Sequence, residues 1–465
     1  MKRLWASRFQ KPRRDLDAWQ ASYPVDRRLW REEVEATRAY ARALHEAGVL
    51  SDAEFQALAE ALHRLADQES PAGDFEDVHT AVEAVLAEVV GPVAAKVATG
   101  RSRNEDVVTI EKLYIRRAGG DLLGGIRSLQ ASLVRQAERH VETVVPGYTH
   151  LRQAQPMTWG FYLMSWFFAL ERDRDRFWTA LRRMDACPYG SGALTGTTVP
   201  IDRAALARRL GFGGPTDNAL DAVSDRDFIL DFLYACLTVG IHLSRMAEDW
   251  ILFSGDEFGW LVLDETLTTS SSLLPHKRNP DVLELVRGLA GRWLGALVGL
   301  SMTLKGLPWG YSKDLQWDKT YLLETSEDLR QALTVMRQVV DGTTVRADVA
   351  RARLQTWTLT VELVDFLVAR GVPFRTAQQA VAQFVAHAEA VGRPPESFTP
   401  AELAEWLPVV DESIRQVWDP AVAVRRRSLP GGTSPDAVRQ QIEKAWRILQ
   451  ERDGIPDVGS RVLES

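Results

Sequence analysis

Residues 226–253 read RDFILDFLYACLTVGIHLSRMAEDWILF, and this stretch decides the fold. Its large apolar side chains recur at alternating spacings of four and three residues. They are Phe232, Cys236, Val239, Leu243, Met246 and Trp250. Such spacing places them along one side of an α-helix and is typical of a seam packed against parallel neighbours. At 1.5 Å per residue the helix would be on the order of 40 Å long. The stretch therefore predicts a bundle of long helices.

The same helical period fills most of the remaining chain. It covers 107–141, 158–184, 286–300 and 322–340, and almost no segment alternates as a strand would. One helix carries a strip of glycines, namely Gly288, Gly291, Gly295 and Gly299. Each costs a helix about 1 kcal/mol relative to alanine, so the strip predicts close approach of another helix. These apolar faces exceed what one chain can bury, which predicts an all-α protein with a bundle core shared between chains.

Breaks in the helical period predict three domains. The first is an N-terminal helical domain over 1–104, which ends just after the turn at Thr99-Gly100. A central long-helix bundle domain follows over 105–355. Proline and glycine clusters, such as Pro394-Pro395 and Pro430-Gly431-Gly432, indicate a C-terminal small helical domain over 356–465.

Composition excludes several classes of protein. Of 465 residues, 45% are apolar and 26% charged, as in soluble globular proteins, and a net charge of −7 disfavours nucleic acid or an acidic membrane as partner. Two cysteines cannot build a disulfide framework, and 1–12 lacks the apolar run of a signal peptide, so we expect a cytoplasmic protein. The uncharged run 153–170 is interpreted as the buried entry to a core helix. No metal-ligand spacing or nucleotide-binding loop is present, so neither metal nor cofactor is expected.

The most informative polar segment is 270–281, which reads SSSLLPHKRNPD. Pro275 and Pro280 prevent it from continuing as helix, since each lacks an N–H and restricts the residue before it. Three hydroxyls, a lysine and an asparagine are thereby held in a loop between rigid elements, where catalytic groups tend to lie. Taken alone, a serine-rich turn with two prolines is better explained as a surface connection.

This serine loop is not isolated, because further polar runs follow one another in a fixed order. They occupy 76–79, 100–104, 146–151, 190–194, 220–228 and 243–248. The loop is similar to Gly-Ser-Ser-x-x-Pro-x-Lys-x-Asn-Pro, and the whole set resembles the argininosuccinate lyase branch of the fumarase/aspartase superfamily, which includes the delta-crystallins. The resemblance runs from 4–5 and 8–9 to 431–433. It implies a three-domain all-α fold, a homotetramer whose composite sites draw on three subunits, and cleavage of argininosuccinate to arginine and fumarate in arginine biosynthesis.

The reaction that the resemblance implies removes a weakly acidic proton beside a carboxylate and leaves two negative charges there, so donors and cations must already be in place. The resemblance gives Ser271 as the serine that handles the carbon-bound proton, with Lys277 favouring its charged form. His150 would be the partner acid or base and Glu284 the carboxylate that orients it. Which of Ser271 and His150 is the base stays open. The implied substrate-binding residues are Ser22, Arg103, Asn104, Thr149, Arg226, Ser272, Asn279, Tyr311, Gln316 and Lys319.

The chain departs from the family pattern at several positions. The departures are Ser270 for glycine, His276 for glutamine, Arg278 for lysine, Glu105-Asp106 for Asp-Gln, and Trp317 for an acidic residue beside the expected arginine-end pocket. Loss of the glycine removes backbone freedom from a loop expected to move. Two alternatives therefore stay open. One is a paralogue that releases fumarate from another N-substituted aspartate, and the other is a non-catalytic, crystallin-like structural protein.

Overall fold

The computed structural model describes residues 16–451. Their N-terminal part folds into five α-helices around an apolar core. They are α1 (Asp17–Gln20), α2 (Tyr23–Asp26), α3 (Trp30–Glu46), α4 (Asp52–Ala66) and α5 (Val78–Val90). Asp77 begins α5 by accepting a hydrogen bond from the Thr80 N–H at 2.7 Å. The motifs at 4–5 and 8–9 lie outside the described residues.

The central part contains the long helices that the sequence predicts. They and their short neighbours are α6 (Arg103–Arg139), α7 (Trp159–Arg183), α8 (Arg203–Arg209), α9 (Ala219–Ser224), α10 (Asp227–Ser254), α11 (Asp281–Leu304), α12 (Asp318–Gly342) and α13 (Ala347–Arg353). With 37 residues, α6 is about 55 Å long. Helices α6, α7, α10, α11 and α12 pack against one another in one bundle, and all six residues of the predicted α10 seam are buried. The prediction of an all-α bundle is confirmed.

Helix α10 is also the one helix of the described residues that is long and apolar enough to cross a membrane by length and composition. More than half of its most apolar window is buried against this chain's own helices. That burial is the environment of a core helix.

Only one end of the glycine strip on α11 packs closely against another part of the described chain. A Cβ on Gly299 would lie 2.7 Å from the Tyr321 ring, whereas Gly288, Gly291 and Gly295 face open space. Along the same helix Leu285, Leu294, Val298 and Met302 are each at least 50% exposed. An apolar, small-residue surface of α11 is therefore left uncovered within the described part of one chain.

One hairpin interrupts the helices and corrects the interpretation of 153–170. Strand β1 (Val144–Thr149) pairs antiparallel with β2 (Arg152–Thr158), and α7 begins only at Trp159. Thr158 caps α7 by accepting a hydrogen bond from the Phe161 N–H at 3.1 Å. The predicted helix entry is thus wrong for 153–158, since a short strand with one buried face carries little periodic signal beside a long apolar helix.

Two shorter strand pairs lie near the serine loop. Strand β3 (Leu261–Val262) pairs with β6 (Thr344–Val345), and β4 (Thr269–Ser270) pairs with β5 (Arg278–Asn279). The second pair closes the base of the loop. The hydroxyl of Thr269 also donates to the carboxylate of Asp281, at the first residue of α11. Both ends of the serine loop are therefore fixed to the bundle.

The C-terminal part forms a third apolar core. Its α-helices are α14 (Thr360–Val368), α15 (Phe374–Ala390), α16 (Pro400–Leu403), α17 (Pro420–Arg426) and α18 (Pro435–Gln450). Two features cross the predicted domain boundaries, which stay predictions. Helix α18 packs on α6 and α7 of the bundle, and residues 187–212 contribute to the N-terminal core.

Candidate active site

Apart from Arg226, the sequence-predicted site residues fall into three groups within one chain. The first group lines a cleft of about 200 Å³ and consists of Ser22, Arg103, Asn104, Tyr311, Gln316 and Lys319. The second group lies on the serine loop and the first turns after it and consists of Ser271, Ser272, Lys277, Asn279 and Glu284. The third group is Thr149 and His150, at the tip of the β1–β2 hairpin. Among the described residues, no hydrogen bond or ion pair joins one group to another.

The start of α6 places two of the cleft residues. Ser102 caps the helix, so Arg103 and Asn104 stand in its first turn with their side chains free for other contacts. The Arg103 guanidinium donates to Asp77 at 2.8 Å and to the Thr80 hydroxyl at 2.9 Å. The Asn104 amide donates to the Ala193 carbonyl at 3.0 Å. Both side chains are held by neighbouring elements where the cleft opens.

The departure Glu105-Asp106 has a structural explanation. Glu105 completes the capping box with Ser102 and accepts a hydrogen bond from the Gly192 N–H at 2.9 Å. Asp106 lies 3.3 Å from the buried Arg101 guanidinium. Both carboxylates are buried, so they tie α6 to its surroundings behind the cleft.

Lys319 reaches the cleft from a buried network of four charged groups. Its ammonium donates to Asp318 at 2.9 Å and lies 3.1 Å from Glu111, while the Arg226 guanidinium donates to Asp318 at 2.6 Å. Burial alone would lower the pKa of Lys319, but the carboxylates of Asp318 and Glu111 raise it above its ordinary value. The lysine therefore stays charged and fixed in the cleft wall.

Arg226 does not line the cleft, although the resemblance gives it as a substrate contact. Its side chain is fully buried and donates hydrogen bonds to the Asp318 carboxylate at 2.6 Å and to the Asp225 carbonyl at 2.7 Å. In this chain Arg226 fixes the carboxylate that holds Lys319. We therefore expect it to position Lys319 rather than to touch the substrate.

Six residues of the cleft wall received no role in the sequence interpretation, and three of them, Asp26, Asp77 and His79, are buried titratable groups. Asp26 accepts hydrogen bonds from the Ser22 hydroxyl at 2.5 Å and from the Val78 N–H at 3.0 Å. Burial raises the pKa of Asp26 to about 6, against the lowering effect of Ser22 and Lys319. The run 76–79 was part of the resemblance, but its chemistry depends on contacts with distant α2 and α3, which a linear pattern does not give.

The hydroxyl oxygen of Ser271, which is predicted to handle the carbon-bound proton, faces backbone donors of its own loop. The Ser271 hydroxyl oxygen accepts hydrogen bonds from the N–H groups of Leu273 at 3.3 Å and Leu274 at 3.0 Å. Two such donors stabilise a serine oxygen that carries negative charge. Lys277 is exposed, and within the described residues its ammonium forms no ion pair with any carboxylate. The loop thus holds a hydroxyl oxygen that accepts from two backbone donors and, among the described residues, a lysine without a carboxylate partner.

Ser270, which stands where the family has glycine, causes no backbone strain in this conformation. Ser270 lies in β4, opposite Arg278, and has no positive φ. Serine adopts that extended backbone as readily as other residues do. The departure leaves the observed loop unstrained.

The predicted general acid or base sits in a strained turn. His150 and Leu151 connect β1 to β2 and have φ angles of 54° and 55°. Both residues of a type I′ turn require positive φ, for which asparagine and glycine are the usual choices. The stem is held rigidly, because the Gln153 amide donates to the Arg353 carbonyl and accepts from the Gln355 N–H, each at 2.8 Å. Such over-determined strain is common at functional sites.

We predict that Leu151→Gly raises the free energy of unfolding by about 1 kcal/mol relative to Leu151→Ala. A left-handed backbone costs an L-residue roughly 1–2 kcal/mol, and the flexibility of glycine in the unfolded chain offsets only part of that. Leu151 is 70% exposed, so truncation to alanine removes little packing and serves as the matched control. Denaturant titration measures both variants. Equal stability of the two would contradict the strained turn.

Trp317 does not contribute to the cleft wall. Its side chain is 56% exposed, while Tyr311, Gln316 and Lys319 around it line the cleft. The departure at this position therefore leaves the cleft of one chain unchanged. Any effect on the expected arginine-end pocket would come from contact with another chain.

Known protein families match most of this chain. A family model described as lyase matches residues 8–295, and a model described as argininosuccinate lyase C-terminal matches residues 357–425. The argininosuccinate lyase of Geobacillus kaustophilus is 41% identical over 457 residues, which cover 97% of this chain and 99% of that protein. That of Thermus thermophilus is 43% identical over 454 residues, covering 95% and 98%.

Solved structures give the same architecture. EDDS lyase in complex with formate superposes with a TM-score of 0.84 at 26% identity, covering 94% of this chain and 90% of that one. A variant of EDDS lyase with bound fumarate also gives 0.84, at 25% identity. Fold and matches together define the class as a lyase of the fumarase/aspartase superfamily. More narrowly, the chain belongs to the argininosuccinate lyase family. The resemblance seen in the sequence is confirmed.

Proposed function

We propose that this chain cleaves argininosuccinate to arginine and fumarate by β-elimination of the C–N bond, as a step of arginine biosynthesis in the cytoplasm. The observation that carries the proposal is identity above 40% with two argininosuccinate lyases over nearly the whole length of each chain. The catalytic set Ser271, Lys277, His150 and Glu284 is present as well. A structural homologue has no physical need for this serine, lysine, histidine and glutamate together.

In the proposed mechanism the Ser271 oxygen takes a proton from the succinyl carbon that lies next to a carboxylate. This carboxylate becomes part of fumarate. Charge then accumulates on that carboxylate, where the Lys277 ammonium and the Asn279 amide stabilise it. His150 gives a proton to the leaving nitrogen on the other side of the substrate, and Glu284 fixes the tautomer of its ring. The electron pair of the carbanion forms the fumarate double bond as the C–N bond breaks, and the nitrogen leaves with the arginine product.

We further propose that the active unit is a homotetramer in which each site combines groups from three chains. Two observations support it. Within the described part of one chain, the three groups of site residues share no hydrogen bond or ion pair, and α11 leaves its glycine strip and apolar neighbours uncovered. Packing α11 against its copies would cover that surface and bring separate groups together.

The assembly has its own prediction. Gly291→Arg places a long charged side chain in the uncovered strip, so we expect light scattering to show species smaller than the wild type, with activity falling in parallel. Among the described residues, a Cβ added at Gly291 would meet no atom of its own chain within 4 Å, so the fold of the chain should persist. His63→Arg, on the exposed side of α4, is the control. A variant that keeps the mass of the wild type would argue against α11 as the contact.

A second candidate is elimination of fumarate from another N-substituted aspartate. It is favoured by the structural likeness to EDDS lyase, a variant of which was solved with bound fumarate. That likeness is at 26% identity, well below the identity with the two argininosuccinate lyases. The catalytic step would be the same, and only the leaving amine would differ.

Fumarate release separates these functions. Purified protein is mixed with argininosuccinate and the fumarate absorbance is followed, with Ser271→Ala as control. Turnover lost in the variant supports the proposal. No signal with argininosuccinate, but formation of an adduct from fumarate and other amines, would favour the second candidate. No turnover with any aspartate adduct would favour a structural role, and complementation of an arginine auxotroph identifies the natural substrate.

A further inference from the structure

His79 differs from the other cleft residues because its ring is paired with Glu33, a buried acid that does not line the cleft. Its Nδ1 lies 2.7 Å from Oε2 of Glu33, and both side chains are at least 95% buried. The other oxygen of Glu33 accepts a hydrogen bond from the Thr37 hydroxyl at 3.0 Å and lies 3.6 Å from the Arg101 guanidinium. The His79 ring also lines the cleft. An imidazole is thus fixed in the wall where the substrate must enter.

The charged groups that surround His79 come from four elements. Glu33 faces it from α3, Asp26 from α2 and Asp106 from α6, while Asp77 and Glu83 belong to its own helix and that helix's cap. Acids therefore dominate. The guanidiniums that contact these acids are Arg101, which is paired with Asp106 and lies 3.6 Å from Glu33, and Arg103, which is paired with Asp77. A neutral imidazole would leave these buried acids with little compensation.

The titration behaviour of the cleft agrees with this geometry. Burial alone would lower the pKa of His79, but Glu33 and then Asp77 raise it to about 9. Burial likewise would raise the pKa of Asp77, but His79 and then Arg103 hold it below its ordinary value. Burial raises the pKa of Asp26, whereas the Ser22 hydroxyl, then Lys319 and, by a smaller amount, His79 lower it. The imidazolium is therefore coupled to both cleft carboxylates.

We propose that His79, clamped by Glu33, is a positioning residue that keeps Asp26 and Asp77 charged and in place for the amino group of the substrate. This rests on the proposed function in one respect, since the leaving arginine part of argininosuccinate carries an ammonium. His79 itself would neither take nor give the reacting proton. Its effect would pass through the two carboxylates.

The alternative is a purely structural ion pair that joins α3 to α5. Both interpretations predict some loss of stability when His79 is replaced. They differ in the pH dependence of kcat/KM. If the pair is purely structural, replacing His79 should lower kcat/KM equally at all pH values. If the charge of His79 keeps Asp26 ionised, the loss should be largest at the pH values where Asp26 begins to take up protons.

The test is the pH profile of argininosuccinate cleavage for His79→Gln. Removing the cation raises the pKa of Asp26, so the acid side of the kcat/KM profile should move to higher pH. We expect kcat/KM to fall severalfold near pH 5.5 and to stay close to wild type near pH 8.5. The change should appear in KM more than in kcat. His63→Gln, an exposed histidine on α4, should leave the profile unchanged.

Glu33→Gln provides an independent test of the same proposal. The amide can still accept from the imidazole but no longer balances its charge, so His79 should lose its proton at lower pH and kcat/KM should fall earlier on the alkaline side. A parallel drop at every pH in both variants, with an unmoved acid side for His79→Gln, would overturn the proposal.

Failure of the proposed function is distinguishable from failure of this one. If wild-type protein does not cleave argininosuccinate, the proposed function fails, and His79 is then judged by its own titration. In protein carrying ¹³C at histidine Cε1, the resonance that His79→Gln removes should stay in its protonated position to about pH 8 and shift to lower pH in Glu33→Gln. A ring that titrates near its ordinary 6.5 in the wild type would overturn the assignment.

Discussion

Ser271→Ala is expected to lower kcat by about 10²–10⁴-fold while changing KM little, because a positioned acid or base contributes that much to a proton transfer. The hydroxyl that the variant lacks is the one that accepts hydrogen bonds from the Leu273 and Leu274 N–H groups. Those donors stabilise the charged form of the oxygen that accepts the proton, so loss of the hydroxyl should affect the chemical step rather than binding. Initial rates of fumarate release over a range of substrate concentrations separate the two constants.

The matched control is Ser165→Ala. That serine is exposed on α7 and its hydroxyl donates only to the Tyr162 carbonyl one turn earlier, so its loss should leave both constants unchanged. A Ser271→Ala enzyme within a factor of five of wild type would show that the serine does not move the proton. His150 would then be the remaining candidate base.

Asp318→Asn should lower the free energy of unfolding by about 3–5 kcal/mol, because removing one partner from a buried charge network leaves the others uncompensated. Asp318 has no exposed surface and pairs at 2.6 Å with Arg226 and at 2.9 Å with Lys319. Lys319 should also lose its fixed position, so KM should rise. Denaturant titration and steady-state kinetics measure the two effects.

The same substitution on the same helix provides the control. Asp341 lies in the last turn of α12 as a partly exposed residue, 3.3 Å from Arg337 and 3.7 Å from Arg135, and Asp341→Asn should cost well under about 1 kcal/mol. Burial would raise the pKa of Asp318, but Lys319 and Arg226 hold it below its ordinary value. Its contribution is therefore present above the unfolded value of 3.8 and is lost as the pH falls below it. Similar losses in both variants at neutral pH would contradict the network.

The parts of the fold that were predictable from sequence are those governed by a local period. The α10 seam and the long helices repeat every three or four residues over many turns, so burial follows from spacing. The β1–β2 hairpin was missed because its turn, His150-Leu151, carries none of the usual turn residues and adopts positive φ only under constraint from its stem. Local preference gave no signal there.

The candidate site was predictable as a set of residues but not as an arrangement. Resemblance supplied Lys319 and Arg226 together, yet only the folded chain shows that Arg226 lies behind the lysine and Asp318 between them. Likewise the pKa of His79 is raised by Glu33, which lies 46 residues away in the sequence. Burial and pairing across such separations are set by tertiary packing, which no linear pattern contains.

The central claim is that the serine loop of one chain meets the His150 hairpin of another. Ser271→Ala and His150→Gln chains, each inactive alone, are unfolded together in equal amounts and refolded, with separately refolded and then mixed proteins as the control. Random assembly gives each composite site one intact loop and one intact hairpin in a quarter of cases, so we predict recovery of roughly a quarter of wild-type activity. Recovery no greater than in the control would contradict the account, since a site built within one chain cannot be restored by mixing.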